Sequence, residues 1–302
     1  MNRSPARFLP EAISAEQVIH CLGLVSDTHM PERRPDLPPA LFEIFDGVDL
    51  VLHAGDVGAL WVLDRLSLIA PVVAVHGNDD TEEAHRELPY EQVVAVAGRR
   101  LLLYHSHHQD PLEEAAARRD DAWLPKLDQR AALGRRAGAT VVVFGHTHIP
   151  MALRHREVLL VNAGALASGS WTGRQKVQTV ALLFVLKEGE VVVVHVDLAA
   201  PDRAFTPRVR WDAGYDAALA EINAPTLSPP LAADWPRLKR PLRALTPAQS
   251  RSLLLPLAHR CWNGEQDIIT HADLLAAVQA HTDIPEPIRV DLETILLRQQ
   301  GR

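Results

Sequence analysis

The sequence predicts an α/β layered fold, built on a mixed sheet or two stacked sheets and followed by a small all-α appendage. Over roughly the first 200 residues, short apolar runs alternate with polar or helically spaced segments. Two longer runs then flank "KEG", a good hairpin turn. Past about residue 205 the strand-like runs stop and apolar residues recur at helical spacing.

In chain order, the predicted strands are "VIHCLGLVS" (18–26), "DLVLHAG" (49–55), "PVVAVHG" (71–77), "QVVAVA" (92–97), "RLLLYH" (100–105), "ATVVVFG" (139–145) and "EVLLVNAG" (157–164). "KVQTVALLFVL" (176–186) and "EVVVVHVDL" (190–198) form the closing hairpin. Valine-rich runs bounded by glycine suggest strands buried on both faces. Helices are expected at "PPALFEIFDG" (38–47), which ends on glycine, at "ALWVLDRLSLI" (59–69) and at "LPKLDQRAALGRRAG" (124–138). "AAPDRAFTPRVRW" (199–211) reads as a linker or crossing segment. Beyond it, "YDAALAEI", "TPAQSRSLLLPLAHRCW", "THADLLAAVQAHT" and "EPIRVDLETILLRQQ" are helical, and Thr246 with Gln249 forms a capping box for the second. The expected division is a 1–205 α/β domain and a 206–302 helical extension.

The chain has 302 residues, 47% of them apolar, enough for a sizeable core. A net charge of −7 argues against a general nucleic-acid binder. An anionic substrate must then be attracted locally, for instance by bound cations. Two distant cysteines, Cys21 and Cys261, make no disulfide framework, so a cytoplasmic location is expected. The first twenty residues lack a signal-peptide core, and no apolar run reaches the ~18 residues of a spanning helix, so no membrane partner is expected.

The ends of the apolar runs carry the chemistry. They read "SDTH" (Asp27, His29), "HAGDV" (Asp56), "HGNDD" (Asn78, Asp79, Asp80), "YHSHH" (His105, His107, His108), "GHTH" (His146, His148) and "NAGA" (Asn162). In α/β sheets, ligands bind outside the carboxyl ends of strands, so these groups can converge on one rim. Each motif alone is weak, since buried structural histidines and turns explain it equally well. Their joint occurrence at successive strand ends is what points to a site. Carboxylate, amide oxygen and imidazole together suit borderline divalent cations. Asp27, His29, Asp56, Asn78, His105, His146 and His148 are too many ligands for one tetrahedral ion. They suit two ions sharing a carboxylate, and ions ~3.5–4 Å apart clamp a phosphoryl group and generate a hydroxide nucleophile. If each Asp-x-His and His-x-His pair lies on an extended strand end, its two side chains point the same way.

The order D-x-H, G-D, G-N-x-D, H and G-H-x-H resembles the calcineurin-like metallophosphoesterase superfamily. The compact bacterial and archaeal phosphodiesterase branch is the most similar part of it. The resemblance covers roughly residues 20–200, with Ala163 where the family's N-P-G-S segment has proline. It implies a four-layer αββα sandwich of two mixed sheets flanked by helices. It also implies two divalent ions (Mn, Fe, Co, Ni or Zn, with Mn favoured). Asp27, His29, Asp56 and His148 would hold one ion, and Asp56, Asn78, His105 and His146 the other. Asn78 and His105, with neighbouring donors, would also stabilise charge on the phosphoryl oxygens.

Two positions depart from the family pattern. Asp79 stands where many members have a histidine that protonates the leaving oxygen. Ser106 stands in "HSH" where the compact branch has "HGH", with His107 a substitute acid or a solvated loop residue. Asp80 is expected to orient a ligand histidine. Arg33 and Arg34 read as a solvated loop more readily than as phosphate contacts. His53, His76, His155 and His195 read as packing or locally bonded residues.

The function this implies is hydrolysis of phosphodiesters in a small phosphate-ester substrate, by attack of a metal-bridging hydroxide. The alternatives are a phosphomonoesterase acting on a nucleotide or phosphoprotein, and a non-catalytic scaffold. Because a carboxylate replaces the acid histidine, leaving groups that need little protonation are favoured. The extension is expected to serve as a lid, a homodimer contact or a partner-binding surface, and burial of its apolar residues against the sandwich or a second chain is favoured.

Overall fold

The computed structural model describes residues 4–297, so the last three residues of the predicted helix at 286–300 lie outside the described residues. Its elements are β1 (Val18–Val25), α1 (Pro39–Phe45), β2 (Leu50–His53), α2 (Trp61–Ser67), β3 (Val72–Ala74), α3 (Glu82–Glu87), β4 (Glu91–Val96) and β5 (Arg99–Tyr104). Then come α4 (Pro111–Arg119), α5 (Trp123–Arg136), β6 (Val141–Phe144), β7 (Met151–His155), β8 (Val158–Asn162), β9 (Gly173–Gln175), β10 (Thr179–Leu186) and β11 (Val191–Asp197). The chain ends with α6 (Tyr215–Ile222), β12 (Asn223–Pro225), α7 (Pro229–Leu242), α8 (Pro247–Trp262), α9 (His271–Ala280) and α10 (Glu286–Leu297).

The chain divides into two compact units, one of residues up to 167 with 176–222, the other of 168–175 with 223 onward. The first unit holds two five-stranded mixed sheets, in the orders β11-β10-β1-β2-β3 and β4-β5-β6-β8-β7. β1, β2 and β3 run parallel, as do β5, β6 and β8, while β10, β11, β4 and β7 are antiparallel to their neighbours.

Alternation along the strands builds the layers. Leu22 and Leu24 of β1, Leu183 of β10, Leu101 and Leu103 of β5 and Val141 and Val143 of β6 share one core between the sheets. The opposite faces point outward, Cys21, Val25, Leu182 and Phe184 toward α1 and α2, and Leu102, Tyr104, Val142 and Phe144 toward α5 and α6. Both faces are covered, which is why the runs are continuously apolar. The result is the expected four-layer αββα sandwich, and "KEG" turns between β10 and β11.

The unit boundary differs from the expected 205/206. Ala218 and Ile222 of α6 bury among Trp123, Leu127 and Phe144, so this helix completes the sandwich core. Residues 168–175 join the helical unit instead, where β9 pairs with β12. In that unit Leu231, Leu238, Leu253, Leu257, Leu274 and Leu292 bury against one another. Much of the extension's apolar surface thus buries within its own unit, while Leu297 and Val290 stay exposed. The Thr246–Gln249 capping box is present at α8. β7 and α7 escaped the sequence reading. β7 is an edge strand with polar Arg154 and His155, and α7 carries Pro236 and Pro241 inside it, so propensity hides a helix that burial stabilises. No helix among the described residues is long and apolar enough to cross a membrane.

A pH test follows from β11. His195 is fully buried, and its Nε2–H donates to the Asn162 carbonyl at 2.8 Å. Burial pushes the imidazole down from 6.5 to about 4. Between those values the unfolded chain binds a proton that the folded one refuses. Stability from this residue is therefore present above about pH 6.5 and lost on acidification toward pH 4, by about 3 kcal/mol. Urea unfolding of wild type and His195→Gln across this range checks it, since the pH slope should shrink in the variant. Equal slopes contradict it.

Candidate metal centre

The predicted ligands leave the strands before they act. β1 ends at Val25 and β6 at Phe144, so "DTH" and "HTH" lie in loops. Asp27 (φ 55°), His29 (46°), Asp56 (52°), His146 (68°) and His148 (59°) all adopt left-handed backbone conformations. Contrary to the extended-strand expectation, each i, i+2 pair therefore converges through left-handed turns. Such backbone is unfavourable for residues with a Cβ and persists where the surroundings fix it. Here Asp27 N donates to Gly55 O (3.0 Å), His29 N to Asp56 O (2.9 Å) and His146 N to Asp27 Oδ1 (3.1 Å).

The loops bring most of the predicted side chains together. His148 Nε2 lies 3.1 Å from Asp27 Oδ1, His105 Nε2 3.2 Å from Asp56 Oδ2, and His29 Nε2 3.6 Å from the same oxygen. Three sets have ligand atoms within 4.8 Å of one another and could hold an ion: Asp27, His29 and His148; Asp27, Asp56 and His105; and His29, Asp56 and Asp79. Asp27, His29 and Asp56 each belong to two of these sets, so the sets adjoin one another. His105 Nδ1–H donates to Ala54 O at 2.8 Å, which turns Nε2 toward Asp56. Asn78 Oδ1 is buried with no hydrogen-bond partner. A buried acceptor atom without a donor is what a cation site provides.

Burial raises the Asp27 carboxyl, but the facing His148 outweighs it and brings the group down to about 2. Asp56 sits well below the carboxylate range because His105 and His29 overcome burial. His105 is drawn up to about 10, burial opposing and Asp56 prevailing, whereas burial takes His29 down to about 3 and leaves its lone pair available.

Two motif glycines set the spacing. A Cβ on Gly77 would stand 2.1 Å from Asp56 Oδ1, and one on Gly145 would stand 2.8 Å from Asp27 Oδ2. Each glycine lets a neighbouring loop approach a carboxylate at van der Waals distance.

The remaining predicted residues fall differently. His146 stands outside the three sets. Its ring is 5.1 Å from that of His105, and its Nε2 meets Glu114 Oε1 at 2.9 Å. Asp79 is reached by Arg33, whose Nη2 donates to Oδ2 at 2.6 Å, and Arg33 Nη1 lies 3.4 Å from His29 Nε2. Arg33 is thus a site residue rather than a solvated one, while Arg34 bonds to Asp36 O and Gln178. Asp80 does not orient a histidine, because it accepts from Gly58 N and Gly77 N, both at 2.6 Å, and ties their two loops together. Asn162 stays behind the cluster, where its Nδ2 donates to Gly145 O and Thr147 Oγ1 and braces "GHTH".

His107 is buried edge-on to Tyr90, with its ring 5.4 Å from His105. Burial, then His105 and His146, push it down to about 3. A cationic acid is therefore not available there near neutral pH. His108 takes no part in the cluster, since its backbone N donates to Glu114 Oε2 at 2.9 Å. His53 bonds Thr28, His76 lies against His85, and His155 bonds Asp128, each local as expected. Beside His107 opens a cavity of about 350 Å³, lined by Tyr90, Tyr104, Ser106 and Gln129 among others.

Glu114 escaped the sequence reading. Asp110 followed by Pro111 marks a helix start, and Asp110 does cap α4, but nothing local separates Glu114 from Glu113.

With this geometry in place, residues 21–188 match the calcineurin-like phosphoesterase superfamily domain. The chain belongs to that superfamily. The phosphoesterase domain is 35% identical over 144 residues to a probable metallophosphoesterase of Methanocaldococcus jannaschii, a stretch covering 48% of this chain and 67% of that protein. It is 28% identical over 158 residues to a phosphodiesterase of the same organism, covering 47% of this chain and 82% of that one. Among solved structures, Vacuolar Protein Sorting 29 of Cryptosporidium parvum aligns with 20% identity and a TM-score of 0.44, over 59% of this chain and 97% of that one. The family binds divalent metals, and the Asp and His sets of this phosphoesterase domain could hold them.

Proposed function

We propose that this phosphoesterase hydrolyses phosphodiesters with two divalent ions. Asp27, His29, Asp56 and His148 would hold one, and Asp56, Asn78, His105 and His146 the other. The observation that carries the reading is the shared, buried and ionised Asp56 between His29 and His105. Two bound divalent ions supply Lewis-acid polarisation of a phosphoryl group and activation of water at neutral pH. The chain's own groups do the rest. Asp56 and Asp27 provide the anionic charge that retains cations. The Arg33 guanidinium neutralises Asp79, which softens the repulsion an unpaired carboxylate would exert on a phosphate.

The preference for diesters rests on leaving-group chemistry. Asp79 is paired with Arg33, and His107 is held neutral, so neither is a ready proton donor. Leaving groups that depart without protonation are then favoured. A non-catalytic scaffold finds less support, because every family ligand position retains its donor residue.

A screen tests the reading. Protein reconstituted with Mn, Fe, Co, Ni or Zn is given a bis-aryl phosphodiester, an aryl monoester, a cyclic nucleotide and an alkyl monoester. The expected order of kcat/KM places the aryl and cyclic diesters first. Robust turnover of the alkyl monoester with poor turnover of diesters refutes it.

A further inference from the structure

Glu114 lies outside every family motif, yet its carboxylate reaches the first histidine of "GHTH". His146 Nε2 is 2.9 Å from Glu114 Oε1, and both side chains are largely buried. The carboxylate's orientation is fixed from two further sides, since Oε2 accepts from His108 N at 2.9 Å and Oε1 also meets Arg118 Nε one turn along α4. A carboxylate only accepts, so the hydrogen resides on His146 Nε2. The imidazole's one remaining lone pair is then on Nδ1.

The comparison with His105 gives this meaning. A metal-ligating histidine commonly donates its other ring N–H to a carboxylate or carbonyl, which sets its tautomer and orientation. His105 follows that rule through Nδ1–H to Ala54 O and faces Asp56 with Nε2. His146 follows it in the opposite sense, donating through Nε2–H. The family motif specifies a histidine at this position but not what holds it, and here the holder comes from the helix that follows β5.

We propose that Glu114 is a positioning residue that fixes His146 as the Nε2–H tautomer and leaves Nδ1 as the nitrogen that takes the second ion. Its role toward the ion rests on the dinuclear reading above, but the tautomer does not. Glu114 touches no reacting atom and acts through His146 alone.

The test uses the full chain, stripped of metal and ¹⁵N-labelled, in a long-range ¹H–¹⁵N correlation experiment. His146 is expected with its hydrogen on Nε2 in wild type and as a tautomer mixture in Glu114→Ala. Titration with Mn(II), followed calorimetrically, should show one of two sites weakened by about 10–100-fold in the variant and the other unchanged. Glu114→Gln, nearly isosteric, serves should the alanine variant fail to fold, and should weaken the same site. A wild-type His146 with its hydrogen on Nδ1 overturns the proposal, as do variants that bind both ions with wild-type affinity. Wild type that takes up no ion while His146 remains the Nε2–H tautomer overturns the dinuclear reading and leaves the Glu114–His146 lock standing.

Discussion

Asp56→Asn is expected to lower phosphoester hydrolysis by about a thousandfold or more, the several kcal/mol that metal polarisation of a phosphoryl group is worth. Asparagine keeps the shape of the side chain and an oxygen for Asp79 N, which donates to Asp56 Oδ1 at 2.8 Å. The fold should therefore survive. What disappears is the negative charge between His29 and His105. Metal content measured on the same preparation should fall with activity. A variant within tenfold of wild type at full metal content would show that Asp56 is not the shared ligand.

Gly77→Ala should damage the site directly through Asp56. The added carbon would stand 2.1 Å from Asp56 Oδ1 and 2.5 Å from Asp56 N. The loop cannot easily retreat, because Asp80 ties Gly77 N to Gly58 N with two 2.6 Å hydrogen bonds. Overpacking of this kind costs about 2–3 kcal/mol, and here the displaced group is a predicted ligand, so activity should fall with stability. Gly173→Ala is the control, because a Cβ there meets nothing nearer than 3.9 Å. Equal melting temperatures and equal activity for the two variants would refute the steric account.

The sandwich was legible because its strands are covered on both faces. Runs such as "TVVVF" and "VALLFVL" have no other place to go in a chain of this size. The ligands were legible as residue types at strand ends, but not in their backbone geometry. Left-handed turns at Asp27, Asp56 and His146 are set by partners far along the chain, which local spacing does not encode. Arg33 and Glu114 illustrate the same limit. Each looks like an ordinary charge on a loop or helix until the fold places it against Asp79 or His146. The unit boundary was misplaced because α6 reads like its helical neighbours, although its Ala218 and Ile222 bury in the sandwich. α7 stayed hidden behind prolines that its buried Leu231, Leu238 and Leu242 override.

The central claim is that these strand-end groups form a two-ion site. Elemental analysis of the purified full chain after Mn(II) reconstitution and removal of loosely held metal tests it most directly. The account predicts about two ions per chain, with a clear loss in Asp56→Asn. A wild-type protein that retains no divalent ion under these conditions would contradict it.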